Sequence, residues 1–457
     1  MKNRIVILGG GESGTGAAVL AAQHGFEVFV SDQGLIFKRN KDLLHENNVA
    51  FEEGGHSTDL IFNATEVIVS PGIPDDAPII QNLEYEGIPM ISEIEFACRY
   101  TKAKLIGITG TNGKTTTALL TYHLLHAAGL NVGLAGNVGN SFAAMVAGPG
   151  HDYYILELSS FQLDRMHKSK MDIAVLLNIT PDHLDRYNNN FKTYIASKFR
   201  ILQNMQKKNT FIYNRDDENI NSTLEVMNIH SALLNIGIDR ADNATAYAKE
   251  NYLMFREGSE WKRVSHKQLP LQGRHNMMNT MASILIARTL DVSWESIGLA
   301  LPKFRNIPHR LEYVDEIRGV KFYNDSKATN VDAVWYALES FDHPVYWIAG
   351  GIDKGNDYEQ ISKMVRKKVS ALISLGTDNQ KLHKYFEDYF DSITETDSMF
   401  RAVEIAYSKA KKGDVVLLSP ACASFDLFKN YEARGEKFKE AVDALKNKEE
   451  TNEKPIV

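Results

Sequence analysis

The residues best able to do chemistry sit in one short run, "GTNGKTT", Gly110 to Thr116. Glycines let backbone N–H groups close around an oxyanion, a lysine reaches the outer phosphates, and a threonine hydroxyl ligates Mg²⁺. The usual pattern, G-x-x-x-x-G-K-[ST], asks for a glycine five places before Gly113. Ile108 stands there instead, with Gly107 and Gly110 on either side. A variant phosphate loop is expected; the plainer alternative is a helix start that contains Gly and Thr. A second glycine run, "GGGESG", places Gly9, Gly11 and Gly14 in the G-x-G-x-x-G spacing, with Asp32 about 20 residues on. It suits a dinucleotide or any nucleotide diphosphate. Ser70-Pro71-Gly72 adds another small loop.

Other candidates follow apolar runs. "ELSSFQL" puts Glu157 where a carboxylate could share the Thr115 metal, or merely cap a helix. "NITPDHLDRY" offers His183 between Asp182 and Asp185, a cation site or a structural histidine. Asn276 and Asn279 in "GRHNMMN" share a helical face and suit a nucleobase or a cap. "NDSKATN" and "SPACASFD" are small polar loops suited to a carboxylate-bearing substrate. Cys422, inside the last, reads as a packing residue.

These residues need elements to hold them at strand ends. Short apolar runs alternate with helical stretches throughout, which implies α/β architecture with parallel sheets covered on both faces. Ligands in such sheets sit beyond the carboxyl ends of strands. Leu105–Thr109 reads as a strand and Thr115 onward as a helix, with Leu119, Tyr122 and Leu125 on one face and Gly129 at its end. Three domains are expected: residues 1–95, 96–301 and 302–457.

Bulk properties exclude several classes. At 457 residues the chain exceeds a single core, and 44% hydrophobic with 24% charged residues describes an ordinary globular protein. A net charge of −7 gives no basic surface for nucleic acid or anionic membrane. Two cysteines fit a reducing cytoplasm. The N-terminal apolar run Ile5–Leu8 is too short for a signal-peptide core, and no stretch approaches the ~20 apolar residues that span a bilayer.

Taken together, "GTNGKTT", "ELSSFQL", "NITPDHLDRY", the lysine of "YIASKFRI", "HNMMN", "PHR", "NDSKATN", "GGIDKG" and "SPACASFD" resemble, in this order and over the full length, the bacterial Mur ligases. The last loops resemble those of the branch that adds D-glutamate. The resemblance implies an N-terminal Rossmann-like uridine-nucleotide domain, a central P-loop ATPase-type domain and a C-terminal Rossmann-like domain that binds the amino acid. It implies ATP-dependent amide ligation of D-glutamate to UDP-N-acetylmuramoyl-L-alanine through an acyl phosphate, in peptidoglycan precursor synthesis, by a cytoplasmic monomer.

Carried over residue by residue, Gly110, Thr111, Asn112, Gly113, Lys114, Thr115 and Thr116 bind ATP with Asn276, Asn279, Arg310 and Asp325. Thr115 and Glu157 hold one Mg²⁺; His183 and a carbamylated Lys198 hold a second. Lys327, Thr329, Lys354, Ser424, Phe425 and Tyr431 surround D-glutamate, and Lys114, His183, Lys198 and Lys327 are the catalytic set. Gly11, Ser13, Asp32, Ser70, Gly72 and Asn137 line the uridine nucleotide's path. The sequence departs from the family at Glu12 and Ser13 and in lacking an arginine after Asp32. By default a lysine in a helix such as that of Lys198 is solvated. Two rival functions stand: an NAD-dependent oxidoreductase, which leaves the central loop unexplained, and a nucleotide sensor without turnover.

Overall fold

The computed structural model describes residues 3–271, 273–305 and 308–452. The chain packs as two compact units, Met1–Pro270 with Met277–Phe304, and Leu271–Asn276 with Arg305–Val457. The first unit contains two sheets and the second contains one.

The first sheet uses β1 (Arg4–Leu8), β2 (Glu27–Asp32), β3 (Ala50–Glu53), β4 (Glu66–Val69) and β5 (Met90–Ile91), all parallel, in the order β3-β2-β1-β4-β5. In β1, Ile5 and Ile7 pack into one core layer, while Val6 and Leu8 enter the opposite one. That period of two with both faces buried is what a central parallel strand requires. Chain direction across the sheet reverses at β1, so the crevice beyond β1 is the expected ligand position.

The second sheet comprises β6 (Lys104–Thr109), β7 (Val132–Gly136), β8 (Tyr153–Glu157), β9 (Ile173–Leu176), β10 (Thr210–Asn214), β11 (Ala232–Gly237), β12 (Ala246–Lys249), β13 (Tyr252–Glu257) and β14 (Glu260–Ser265). Its order is β14-β13-β12-β11-β10-β9-β6-β8-β7. β6 lies between β8 and β9, so the loops after these three strands meet. Not everything is parallel: β12, β13 and β14 form an antiparallel meander. Gly258, at φ 61°, makes the two-residue turn between Glu257 and Glu260.

The third sheet, in the second unit, holds β15 (Glu312–Ile317), β16 (Val320–Asn324), β17 (Val345–Ala349), β18 (Val369–Leu375), β19 (Thr394–Thr396) and β20 (Val415–Leu418). The order is β15-β16-β20-β17-β18-β19, parallel except for the β15–β16 hairpin. Trp347 and Leu417 pack on one face, Ile348 and Leu418 on the other. β20 inserts between β16 and β17, so the polar loops following these strands are neighbours. Among the described residues no helix is long and apolar enough to cross a membrane.

Candidate functional site

After β6 the chain turns through Gly110–Gly113 into the 14-residue helix Lys114–Ala127. Gly113 occupies the left-handed region at φ 85°, and a Cβ there would stand 2.4 Å from Asn279 Oδ1. Glycine is therefore required, and the Asn279 amide lies against the loop. The loop is laced to the segment after β9: Asn112 N donates to Asn178 Oδ1 (2.8 Å), Asn178 Nδ2 returns to Asn112 O (3.0 Å), and Thr111 Oγ1 donates to Thr180 O (3.0 Å). Lys114 Nζ donates to Gly110 O and Thr111 O, holding its charge over the turn. The helix buries Leu120, Leu124 and Leu125 together with Thr116, Thr117 and Thr121, whereas Leu119 and Tyr122 are only half-buried. The face expected from leucine and tyrosine spacing is thus rotated, because threonines occupy much of the buried side.

Beside this loop lie charged groups in the protein interior. Lys198, in the helix Phe191–Phe199, is 1% exposed, so the solvated reading is replaced by a buried one. Its Nζ donates to Gly110 O (3.0 Å) and stands 5.2 Å from the Tyr194 ring centroid. Burial, then the nearby Lys114 charge, drive its pKa well below the ordinary lysine value; Asp182, Glu157 and Asp164 pull the other way. Glu157 ends β8 and is buried; Oε1 accepts from Asn137 Nδ2 (3.0 Å), while Oε2 has no protein partner. A buried carboxylate oxygen without a donor suits a cation. His183, an exposed residue, sits at φ 53°, its ring centroid 5.6 Å from that of Phe161, and its backbone N–H donates to Asp182 Oδ1 (3.0 Å). The Asp185 side chain lies outside the described residues. Among the described residues no three His, Cys, Asp or Glu side chains form a metal-holding group.

At the first sheet, Gly10 N donates to Asp32 Oδ2 (2.6 Å) and Asn40 Nδ2 to Gly10 O (2.8 Å). Gly11 caps the helix Glu12–Gln23, which carries Ser13 in its first turn. A Cβ on Gly14 would lie 1.9 Å from Gly9 O, so this helix approaches β1 as closely as the glycine spacing implies. Gly9, Asp32, His56 and Gly72 line a cavity of about 540 Å³, and Ser70 borders Gly9. A second cavity, of about 700 Å³, is lined by Gly11, Glu12, Arg39 and Asn140. Asn137, expected on the nucleotide path, donates from Nδ2 to Glu157 Oε1.

In the second unit, Asp325 follows β16 and accepts from Leu311 N (3.1 Å) and Ser419 Oγ (3.0 Å). Burial pushes its carboxyl up to about 7, against the lowering effect of Arg310. Lys327 stands 5.5 Å from the Tyr431 ring centroid, and Ser424, after β20, is 2% exposed. Thr329 is half-buried, whereas Lys354 and Phe425 are exposed. Asn276, also buried, lies on the helix Arg274–Thr289 with Asn279. Arg434, which the sequence reading missed, ties the loops together: Nε donates to Ser326 Oγ (3.0 Å), Nη2 to Ser326 O (2.9 Å) and Nη1 to Cys422 O (3.1 Å). Cys422 is buried beside Tyr358, with its thiol pushed up to about 11 by burial.

Three family models match: the MurD N-terminal domain over residues 4–79, the Mur ligase middle domain over 108–287, and the Mur ligase, glutamate ligase domain over 309–422. A Bacteroides thetaiotaomicron protein named "UDP-N-acetylmuramoylalanine--D-glutamate ligase" is 51% identical over 443 residues, covering 97% of this chain and 100% of that protein. A Porphyromonas gingivalis protein of the same name is 50% identical over 444 residues, covering 97% and 99%. Among solved structures, the MurF ligase from Thermotoga maritima in complex with ADP shares the fold with TM-score 0.61 at 16% identity, covering 92% of this chain and 95% of that one.

Proposed function

The chain belongs to the Mur ligase family, and from that membership we propose that it joins D-glutamate to UDP-N-acetylmuramoyl-L-alanine at the expense of ATP. Full-length identity to relatives of that name carries the reading. Membership of the family displaces the oxidoreductase alternative.

A carboxylate is a poor electrophile, so the reaction begins by transferring the ATP γ-phosphoryl group to an oxygen of the L-alanine carboxylate. ADP leaves and an acyl phosphate remains. The D-glutamate amine attacks the acyl carbon, loses a proton, and the tetrahedral adduct expels phosphate to leave an amide. Both reactants are anionic, which places the demand on positive charge and positioning rather than on a protein nucleophile. Lys114, over the phosphate turn, and Arg310 neutralise phosphate charge. Gly110–Thr116 supply backbone N–H groups and the positive end of a helix. Asn276, Asn279 and Asp325 take the adenosine portion; Lys327, Thr329, Lys354, Ser424, Phe425 and Tyr431 receive D-glutamate. The uridine nucleotide is held by Gly11, Ser13, Asp32, Ser70, Gly72 and Asn137.

The buried Glu157 oxygen without a donor fits a divalent cation shared with Thr115. His183 and a carbamate on Lys198 would complete a second position. Bound there, Mg²⁺ would offset charge on the transferring phosphoryl group. Burial favours the neutral amine of Lys198, which CO₂ converts to a carbamate with release of a proton, giving two hard oxygens in place of a cation. The protein is assigned to the cytoplasm as a monomer, which gel filtration checks. In phosphate release assays with UDP-N-acetylmuramoyl-L-alanine and a panel of amino acids, D-glutamate should be the accepted one. Release with no amino acid requirement would refute the assignment, and nucleotide binding without any release would favour a sensor.

A further inference from the structure

Glu157, which ends β8, lies in register with Gly136 at the end of β7. Gly136 sits at φ 99°, and a Cβ there would stand 2.3 Å from Glu157 O, so only glycine lets the chain close over the acid. The next residue, Asn137, bonds Glu157 twice. Its backbone N donates to Glu157 O (2.9 Å) and its Nδ2 to Oε1 (3.0 Å). One bond fixes the main chain at the strand end, and the other fixes the rotation of the carboxylate. The far end of this loop is anchored too: Asn140 bridges Ala135, and Ser141 Oγ donates to the buried Glu93 (2.7 Å).

The two carboxylate oxygens are thereby given different tasks. Oε1 is taken by the amide, while Oε2 accepts no hydrogen bond from the protein. The buried amine of Lys198 feels the Glu157 charge, yet it donates to Gly110 O and not to Oε2. A carboxylate held by an amide on one oxygen keeps the other in a set place, which is how outer partners orient the ligands of a metal. Glu157 is 2% exposed whereas Asn137 is exposed. The donor therefore reaches the acid from the solvent side, and replacing it leaves the core intact.

We propose that Asn137 is a positioning residue for the cation: its amide sets the orientation of Glu157, so that Oε2 meets the divalent ion shared with Thr115. This rests on the reading of Glu157 as a cation ligand given above, and it goes beyond the place of Asn137 on the uridine nucleotide's path. The two roles are compatible. An asparagine amide carries two N–H donors and an acceptor oxygen, and Glu157 uses one donor. Without the amide the carboxylate turns about its last torsion, which is broad, and the ion loses a preset ligand. Outer partners of this kind are worth about 10–100-fold in metal affinity.

The test uses the full chain and β,γ-methylene-ATP, whose affinity is measured by calorimetry with excess Mn²⁺ and again in EDTA. The ratio of the two affinities is the metal's contribution. Asn137→Ala should keep the wild-type melting temperature and bind the metal-free analogue as wild type does. With Mn²⁺ it should bind the analogue roughly tenfold or more weakly. Asn137→Gln, which returns an amide from an exposed position, should recover most of that loss. In turnover the alanine variant should need roughly tenfold or more Mg²⁺ to reach half its maximal rate. An unchanged ratio would overturn the inference. So would equal weakening with and without Mn²⁺, which marks a loop that is merely structural. Glu157→Gln is the control. If it keeps the wild-type ratio, the cation reading of Glu157 falls and the role of Asn137 with it; if it lowers the ratio while Asn137→Ala does not, Asn137 alone is misassigned.

Discussion

Replacing Glu93 with glutamine should flatten one component of the protein's pH-dependent stability. Glu93 begins the helix Glu93–Ala97 and is buried; its Oε1 accepts from Ser141 Oγ (2.7 Å) and Ala143 N (2.6 Å) at the start of the helix Phe142–Ala147. Burial lifts the carboxyl from its ordinary 4.5 to about 7, against the pull of those donors. Between these two values the folded protein keeps a proton that the unfolded chain has released. Stability therefore falls as pH rises through that window. At about 1.4 kcal/mol per factor of ten, the whole span is worth about 3.5 kcal/mol. For a unit the size of Met1–Pro270 with Met277–Phe304, that corresponds to roughly 5 °C in Tm. In Glu93→Gln the two donors still meet an amide oxygen, but no proton is exchanged. Calorimetry of both proteins should show the variant's Tm, relative to wild type, rising by roughly 5 °C from the low to the high end of the window. Other titrating groups cancel in that difference. Parallel Tm curves would refute the buried-acid account of Glu93.

Three further outcomes concern the proposed chemistry. Lys114→Ala should cut ATP-dependent ligation by roughly 10²–10³-fold or more while circular dichroism stays native, because phosphate loses its main counter-charge; normal turnover would remove the loop from ATP binding. Ser424→Ala and Lys354→Ala should each raise the KM for D-glutamate roughly tenfold or more, with less effect on ATP, and an equal loss for both substrates would contradict that placement. Lys198→Ala should lower turnover by roughly 10²-fold, with acetate restoring part of it by supplying the missing carboxylate; full activity without acetate would dismiss the carbamate.

What the sequence conveyed well were local signals at strand ends. Gly113 and Lys114 announce a turn into a helix, and Gly14 announces close packing on β1; both follow from backbone geometry that neighbouring residues dictate. Long-range placement was not legible. Nothing in "YIASKFRI" shows that Lys198 is sealed beneath the turn after β6, since the covering residues come from remote segments. Asn178, Thr180 and Arg434 act through partners far away in the chain, and only Asn178 and Thr180, just after β9, carried a positional hint. The meander β12–β14 was readable in principle from the alternation around Glu257-Gly258-Ser259-Glu260, but expectation of uniform parallel pairing hid it. Threonines on the buried side of Lys114–Ala127 defeated a pattern built on leucine and tyrosine alone.

The most direct test of the proposed ligase follows oxygen. With both carboxylate oxygens of the L-alanine residue in UDP-N-acetylmuramoyl-L-alanine labelled with ¹⁸O, one turnover with ATP and D-glutamate should deliver one ¹⁸O to the released phosphate and leave the other in the new amide. Mass spectrometry of both products reads this directly. Unlabelled phosphate formed alongside the amide would contradict activation of that carboxylate by phosphoryl transfer, and with it the proposed acyl-phosphate chemistry.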